Sequence, residues 1–147
     1  MEETAACVGA GVAVEVVPGV TSAFAVPAYA GIHVTARGVT QSVSVVTGHA
    51  TPGAANSTID WDALAGLGGT LVLMMAVERL AEICVALVAG GRNPETPVAV
   101  ISNGTLPDQQ VVVSTLRDVA TAATGVRPPA IVVVGEVVAE AIPVLRT

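Results

Sequence analysis

Val16-Val17-Pro18-Gly19-Val20-Thr21-Ser22-Ala23 joins a strand-like run to a helix start through a turn of small residues. Val14 to Val17 predict a strand, Pro18-Gly19 stop it, and Thr21 or Ser22 offers the cap of a helix beginning near Ala23. Such a turn lets backbone amides approach a ligand closely. Taken alone, it says only that a ligand can dock at a strand end.

Working outward, Thr4 to Gly11 reads as the end of a helix, closed by Gly9 and Gly11. Downstream the pattern predicts a helix over Ser22 to Ala30, a strand over Ser42 to Val46, and a short helix over Trp61 to Leu67. A strand over Thr70 to Met75 and a helix over Val77 to Ala89 follow, with Leu80, Ile83, Cys84, Leu87 and Val88 on one face. Strands over Pro97 to Ile101 and Val111 to Thr115, a helix over Leu116 to Ala123, and a strand over Ala130 to Val134 complete the order. Continuous apolar strands belong in a sheet covered on both faces by helices. The fold class is therefore α/β, a single domain with a mostly parallel or mixed sheet of about five strands.

Composition narrows the function. The 147 residues are 52% hydrophobic, yet the charge-free run Val16 to Ala36 is broken by Pro18, Gly19, Pro27 and Gly31, so no membrane span is expected. The net charge is −6, and six arginines with no lysine remove phosphate-loop, Schiff-base and polybasic chemistry. Aromatics at 2% leave no stacking platform, so nucleic acid is not an expected partner. Cys7 and Cys84 lack metal-ligand spacing and read as free buried thiols in a reducing cytoplasm. No export signal is read from Met1-Glu2-Glu3.

Several residues sit where ligands bind α/β sheets. His49 ends a strand after Thr47-Gly48 and either orients an acidic substrate or bonds its own loop. His33 reads as a surface residue, and neither histidine has partners for a metal. Gly104, in Asn103-Gly104-Thr105, lets a ligand meet the backbone or simply makes a turn. Met74-Met75 is either core or the wall of an adenine pocket. Gln109 and Gln110 offer amide hydrogen bonds at the same rim or begin a strand. Asp60 and Asp62 read as helix-capping residues. Gly9-Ala10-Gly11 precedes a strand instead of following one, which makes it a helix terminator and not a dinucleotide loop. Ser22 has no base or acid partner for a catalytic triad.

Taken together, Val17 to Ala23, Ala28-Tyr29-Ala30-Gly31-Ile32, Thr47-Gly48-His49, Asn103-Gly104-Thr105 with Gln109-Gln110, Thr115-Leu116 and Val133 to Val138 resemble the tetrapyrrole methylase family. Within it they are most similar to the uroporphyrinogen-III C-methyltransferases. The resemblance implies residues 1–13 as the end of a truncated N-terminal element or interdomain helix, and 14–147 as the C-terminal domain. It implies S-adenosylmethionine as methyl donor, held by Ser22, Ala23, Met75 and Gly104. It also implies a tetrapyrrole substrate met by Arg37 and His49, with an exposed, solvating Arg37 as the plain alternative. Methylation of uroporphyrinogen III to precorrin-2 for sirohaem and cobalamin, a homodimer and a cytoplasmic location follow from the same resemblance. No catalytic residue is assigned and no metal is implied.

The resemblance covers only the later portion of a complete family member, and the Gly-x-Gly-Pro-Gly and Gly-Gly-Asp-Pro segments of the earlier portion are not in the sequence. Family members carry proline at the His33 position, histidine at Ala36, and Tyr-Met-Gly at Met74-Met75-Ala76. Competing readings are a non-catalytic binding or dimerisation remnant, and a methyltransferase acting on a later precorrin or on an RNA base. The acidic, lysine-free composition opposes RNA.

Overall fold

A computed structural model of the chain describes residues 1–143; positions 144–147 of the expected domain lie outside the described residues. The helices are α1 (Glu2–Gly9), α2 (Ser22–Tyr29), α3 (Trp61–Gly66), α4 (Leu80–Ala89) and α5 (Val119–Ala122). The strands are β1 (Val43–Thr47), β2 (Thr70–Met74), β3 (Pro97–Ser102), β4 (Gln110–Thr115) and β5 (Ala130–Val134). They form one five-stranded sheet in the order β1-β2-β5-β3-β4.

The sheet is mixed, and only β1 and β2 pair in parallel. The β2–β5, β5–β3 and β3–β4 pairs are antiparallel, so of the two expected arrangements, mostly parallel or mixed, the mixed one forms. Chain length explains β3–β4: the Asn103–Gln109 loop is too short for the crossover that parallel neighbours need. By contrast, β1 reaches β2 through α3, a crossover of sufficient length. Strand β5 then inserts antiparallel between β2 and β3.

Period-two alternation gives the sheet two buried faces. Leu71, Leu73, Val98, Val100, Val132 and Val134 pack with α3, α4 and α5 through Trp61, Ile83, Leu87 and Val119. Val72, Ala99, Ile101, Ile131 and Val133 pack beneath α2 and the Glu136–Val138 turn, against Ala23, Val26, Ile32, Val137 and Val138. Burial of each such aliphatic side chain contributes roughly 1.5–3 kcal/mol, so covering both faces fixes the sheet. On α4, Leu80, Ile83, Cys84 and Leu87 are buried, whereas Val88 is partly exposed.

Caps follow local chemistry. Thr21 Oγ1 accepts from the Ala23 amide, and Asp60 Oδ1 accepts from the Ala63 amide at 2.9 Å. The final helix is shorter than expected, since Leu116 instead plugs the core. The predicted Val14–Val17 strand is absent: Val16 and Val17 are 78% and 82% exposed, outside any regular element. Apolar β-branched residues become a strand only with a neighbouring edge to pair with, and none lies beside them among the described residues. Cys84 is buried, but Cys7 is only partly so, which corrects the reading of two buried thiols. Among the described residues, no helix is long and apolar enough to cross a membrane.

Candidate functional site

The carboxyl ends of β2 and β3 and the start of β5 open onto a cleft of about 500 Å³. Ligands of open α/β sheets gather at such strand ends. Ser22 at the start of α2, Met75 just past β2 and Gly104 just past β3 all line it, as does His49 beyond β1. The ends of β1, β2 and β3 and the start of α2 thereby converge.

Two expected contacts do not reach the cleft. Ala23 is 1% exposed on the buried face of α2, and its amide is spent on Thr21. Arg37 is exposed on the Ala36–Thr40 turn and lines neither this cleft nor the smaller cavities described below. His33 is exposed as well.

The loop after β3 is braced from inside. Asn103 Nδ2 donates to Asp108 Oδ2 at 2.8 Å, and the Thr105 amide donates to Gln109 Oε1 at 2.8 Å. Gln109 is 6% exposed, so it is a buried clamp and not a rim donor. The three non-glycine residues of positive φ among those described are Met75 (54°), Asn103 (49°) and Thr105 (73°). Left-handed backbone costs energy outside glycine and clusters at functional sites. Here the strain concentrates at the ends of β2 and β3, next to the cleft.

Gly104 is not among the residues of positive φ, so its role differs from that expected of a turn glycine. A Cβ there would lie 2.9 Å from Val26 Cβ and closer still to both Val26 methyl groups. The glycine lets the loop touch α2. In Thr47-Gly48-His49 the logic is the same: a Cβ on Gly48 would meet Ala76 Cβ at 2.8 Å, while its amide donates to Met74 O at 2.7 Å. These contacts tie β1 to the end of β2 and set His49 at the cleft.

Val26, Glu78, Leu106, Pro128 and Pro129 also line the cleft and were not singled out from the sequence. Glu78 lies three positions after Met75, in the 3-10 turn Val77–Arg79, and is the one formally charged lining residue among those described. Spacing from Met75 was its available signal. At the opposite end of the sheet, a cavity of about 330 Å³ is lined by Gly69, Arg92 and Glu136. Arg92 is 8% exposed, and burial lowers its pKa while the Glu136 charge raises it. Its Nη2 donates to Gly69 O at 2.6 Å, holding the entry of β2. Among the described residues, no group of three or more His, Cys, Asp or Glu is placed to hold a metal ion.

The family model for tetrapyrrole (corrin/porphyrin) methylases matches residues 1–120. An S-adenosyl-L-methionine-dependent uroporphyrinogen III methyltransferase of Methanosarcina barkeri is 49% identical over 139 residues, covering 93% of this chain and 54% of that protein. A siroheme synthase of Chromobacterium violaceum is 43% identical, covering 93% of this chain and 29% of that protein. The chain thus spans about half or less of these relatives.

Among solved structures, uroporphyrin-III C-methyl transferase from Thermus thermophilus, complexed with S-adenyl homocysteine, superposes with a TM-score of 0.79 at 34% identity. That match covers 95% of this chain and 60% of the other. A cobalt precorrin-4 methyltransferase superposes at 0.82 with 28% identity, covering 93% and 58%. On the family match across most of its length, and on the fold it shares with these enzymes, the chain belongs to the tetrapyrrole methylases.

Proposed function

We propose that this chain supplies one wall of the S-adenosylmethionine cleft in an enzyme that methylates uroporphyrinogen III to precorrin-2. The gathering of Ser22, Met75 and Gly104 on one cleft at the strand ends carries the reading. The named activity of the Methanosarcina relative and the ligand of the Thermus neighbour support it. Identity is higher to the uroporphyrin enzyme than to the precorrin-4 enzyme, 34% against 28%, which favours the earlier substrate.

The residues present fit such a donor. A volume of about 500 Å³ lies within the range of small-molecule sites, and apolar walls with a few polar groups suit a flat base and a sugar. Bound there, the donor would supply an electrophilic methyl group. The protein's share is alignment. Met75, held at φ 54°, stands at the mouth, and the internally bonded 103–109 loop presents Asn103 and Gly104 with little left to reorganise. Val26, Ile101 and Ile131 keep the floor dry. A base for the ring proton is assigned to the remaining part of the enzyme. A homodimer and a cytoplasmic location belong to the same proposal and rest on the family resemblance.

Because the chain spans 54% of the Methanosarcina barkeri relative and is read as one wall of the cleft, its own affinity for S-adenosylmethionine is expected to be weak, with a Kd of about 1 mM or above. Calorimetry on the lone chain is expected to give little heat. Adding the portion of the Methanosarcina barkeri relative that this chain does not match should raise heat and affinity together. Submicromolar binding by the lone chain would contradict the shared-wall reading. No gain on complementation would favour a binding module without turnover, a reading that the exposed Val16, Val17 and Val20 already suit.

A further inference from the structure

A smaller cavity of about 270 Å³ lies on the far side of His49, between the end of β1 and the loop leading to α3. Thr47, His49, Asn56, Ser57 and Thr58 give it a lining of hydroxyl, amide and imidazole groups. His49 lines both this cavity and the large cleft, so the two share a wall. Ser57 Oγ is shut off from solvent there without a hydrogen-bond partner among the described residues.

Charge separates the two spaces. Among the described residues, the one formal charge on the large cleft is the Glu78 carboxylate, and no described arginine lines it. A cationic sulfonium is favoured beside that carboxylate, whereas an acidic side chain is repelled. The smaller cavity has no carboxylate in its lining and several neutral hydrogen-bond donors. Hydroxyl and amide donors satisfy carboxylate oxygens without the cost of burying a second charge.

We propose that this second cavity is the subsite for the carboxylate side chains of the tetrapyrrole, with Asn56, Ser57 and Thr58 as donors and His49 as the hinge between macrocycle and side chain. The proposal rests on the cofactor reading of the large cleft and adds where the substrate's acid groups go. It also assigns a role to the 51–58 loop between β1 and α3.

Trp61 is the single tryptophan, and it lies in the core cluster against which the cavity-lining Ile59 packs. Its quenching by uroporphyrin, titrated into the full chain at low ionic strength, reports binding. Asn56 and Asn93 are both exposed, and Asn93 lines the cavity at the opposite end of the sheet. Asn56→Asp, a nearly isosteric change, is expected to weaken uroporphyrin binding roughly fourfold, the Coulomb effect of a new charge about 5 Å from a carboxylate in water. Asn93→Asp should leave it unchanged, and Thr58→Lys should strengthen it by a similar factor.

Equal weakening by Asn56→Asp and Asn93→Asp would reveal a net-charge effect and overturn the subsite. Absence of uroporphyrin binding by the unmodified chain, or indifference to Asn56→Asp, would overturn it too. S-adenosylmethionine binding is measured on the same variants. Loss of porphyrin discrimination with the weak donor binding intact rejects the subsite alone, while absence of donor binding even at millimolar concentration and after complementation rejects the underlying cofactor reading.

Discussion

Gly104→Val is expected to cost about 3 kcal/mol of folding stability, at the upper end of what overpacking of a well-packed core usually costs. The new side chain has no room, because its Cβ already falls within 2.9 Å of Val26 Cβ on α2. Either α2 lifts from the sheet face or the 103–109 loop abandons its internal hydrogen bonds. Gly104→Ala should lose less, about 1–2 kcal/mol. Val26→Ala, which removes the two nearest atoms, should recover part of that loss in the double variant. Urea denaturation of these variants beside the unmodified protein measures this directly. An unchanged midpoint for Gly104→Val would mean that the loop does not touch α2. Donor affinity in these variants reports on the cleft only after correction for the unfolded fraction.

The second large effect is set by pH. Burial pushes the Cys84 thiol up from 9.0 to about 11. The folded state therefore holds this proton more tightly than the unfolded state. Its contribution is fully present below pH 9 and is lost as pH rises towards 11, because the unfolded chain ionises first. A shift of this size corresponds to about 2 kcal/mol across that window. Thermal unfolding at pH 8 and pH 10.5 should show a steep fall for the unmodified protein and a shallower one for Cys84→Ala, whose starting stability is lower. Parallel falls in both proteins would exclude Cys84 as the source. With the protein folded near neutral pH, a thiol reagent should label the partly exposed Cys7 and spare Cys84.

Particular residues separate what the chain declares locally from what tertiary approach decides. The runs Thr70–Met74, Pro97–Ser102 and Ala130–Val134 are legible as central strands because both faces must be apolar. Ser22, Met75 and Gly104 gather because each lies at a junction beside the same sheet end, a relation visible in the order of elements. Strand direction was less legible: β5 slips antiparallel between β2 and β3, and periodicity carries no information on direction. Val14–Val17 illustrates the opposite limit, since strand propensity without an edge leaves the segment exposed.

At the site, the sequence offered Gly104 as a turn or as a place where a ligand meets the backbone, whereas Asn103 and Thr105 adopt the left-handed backbone and Gly104 provides clearance for Val26. Nothing local in Asn-Gly-Thr distinguishes those roles. Glu78 was hidden for a related reason, because it enters the cleft only through the 3-10 turn that precedes α4. Ala23 and Arg37 were credited by motif position, but one sits on the buried face of α2 and the other faces solvent on a separate turn.

The most direct measurement is an amide NMR titration of the full chain with S-adenosylmethionine at millimolar concentration, where weak binding still shifts resonances. The amides of Ser22, Met75, Asn103 and Gly104 should move together along one saturation curve. Those of Gly69, Gly91 and Arg92, around the cavity at the other end of the sheet, should stay still. Shifts confined to the Arg92 end, or no shift at Met75 and Gly104, would contradict the assignment of this cleft to the methyl donor.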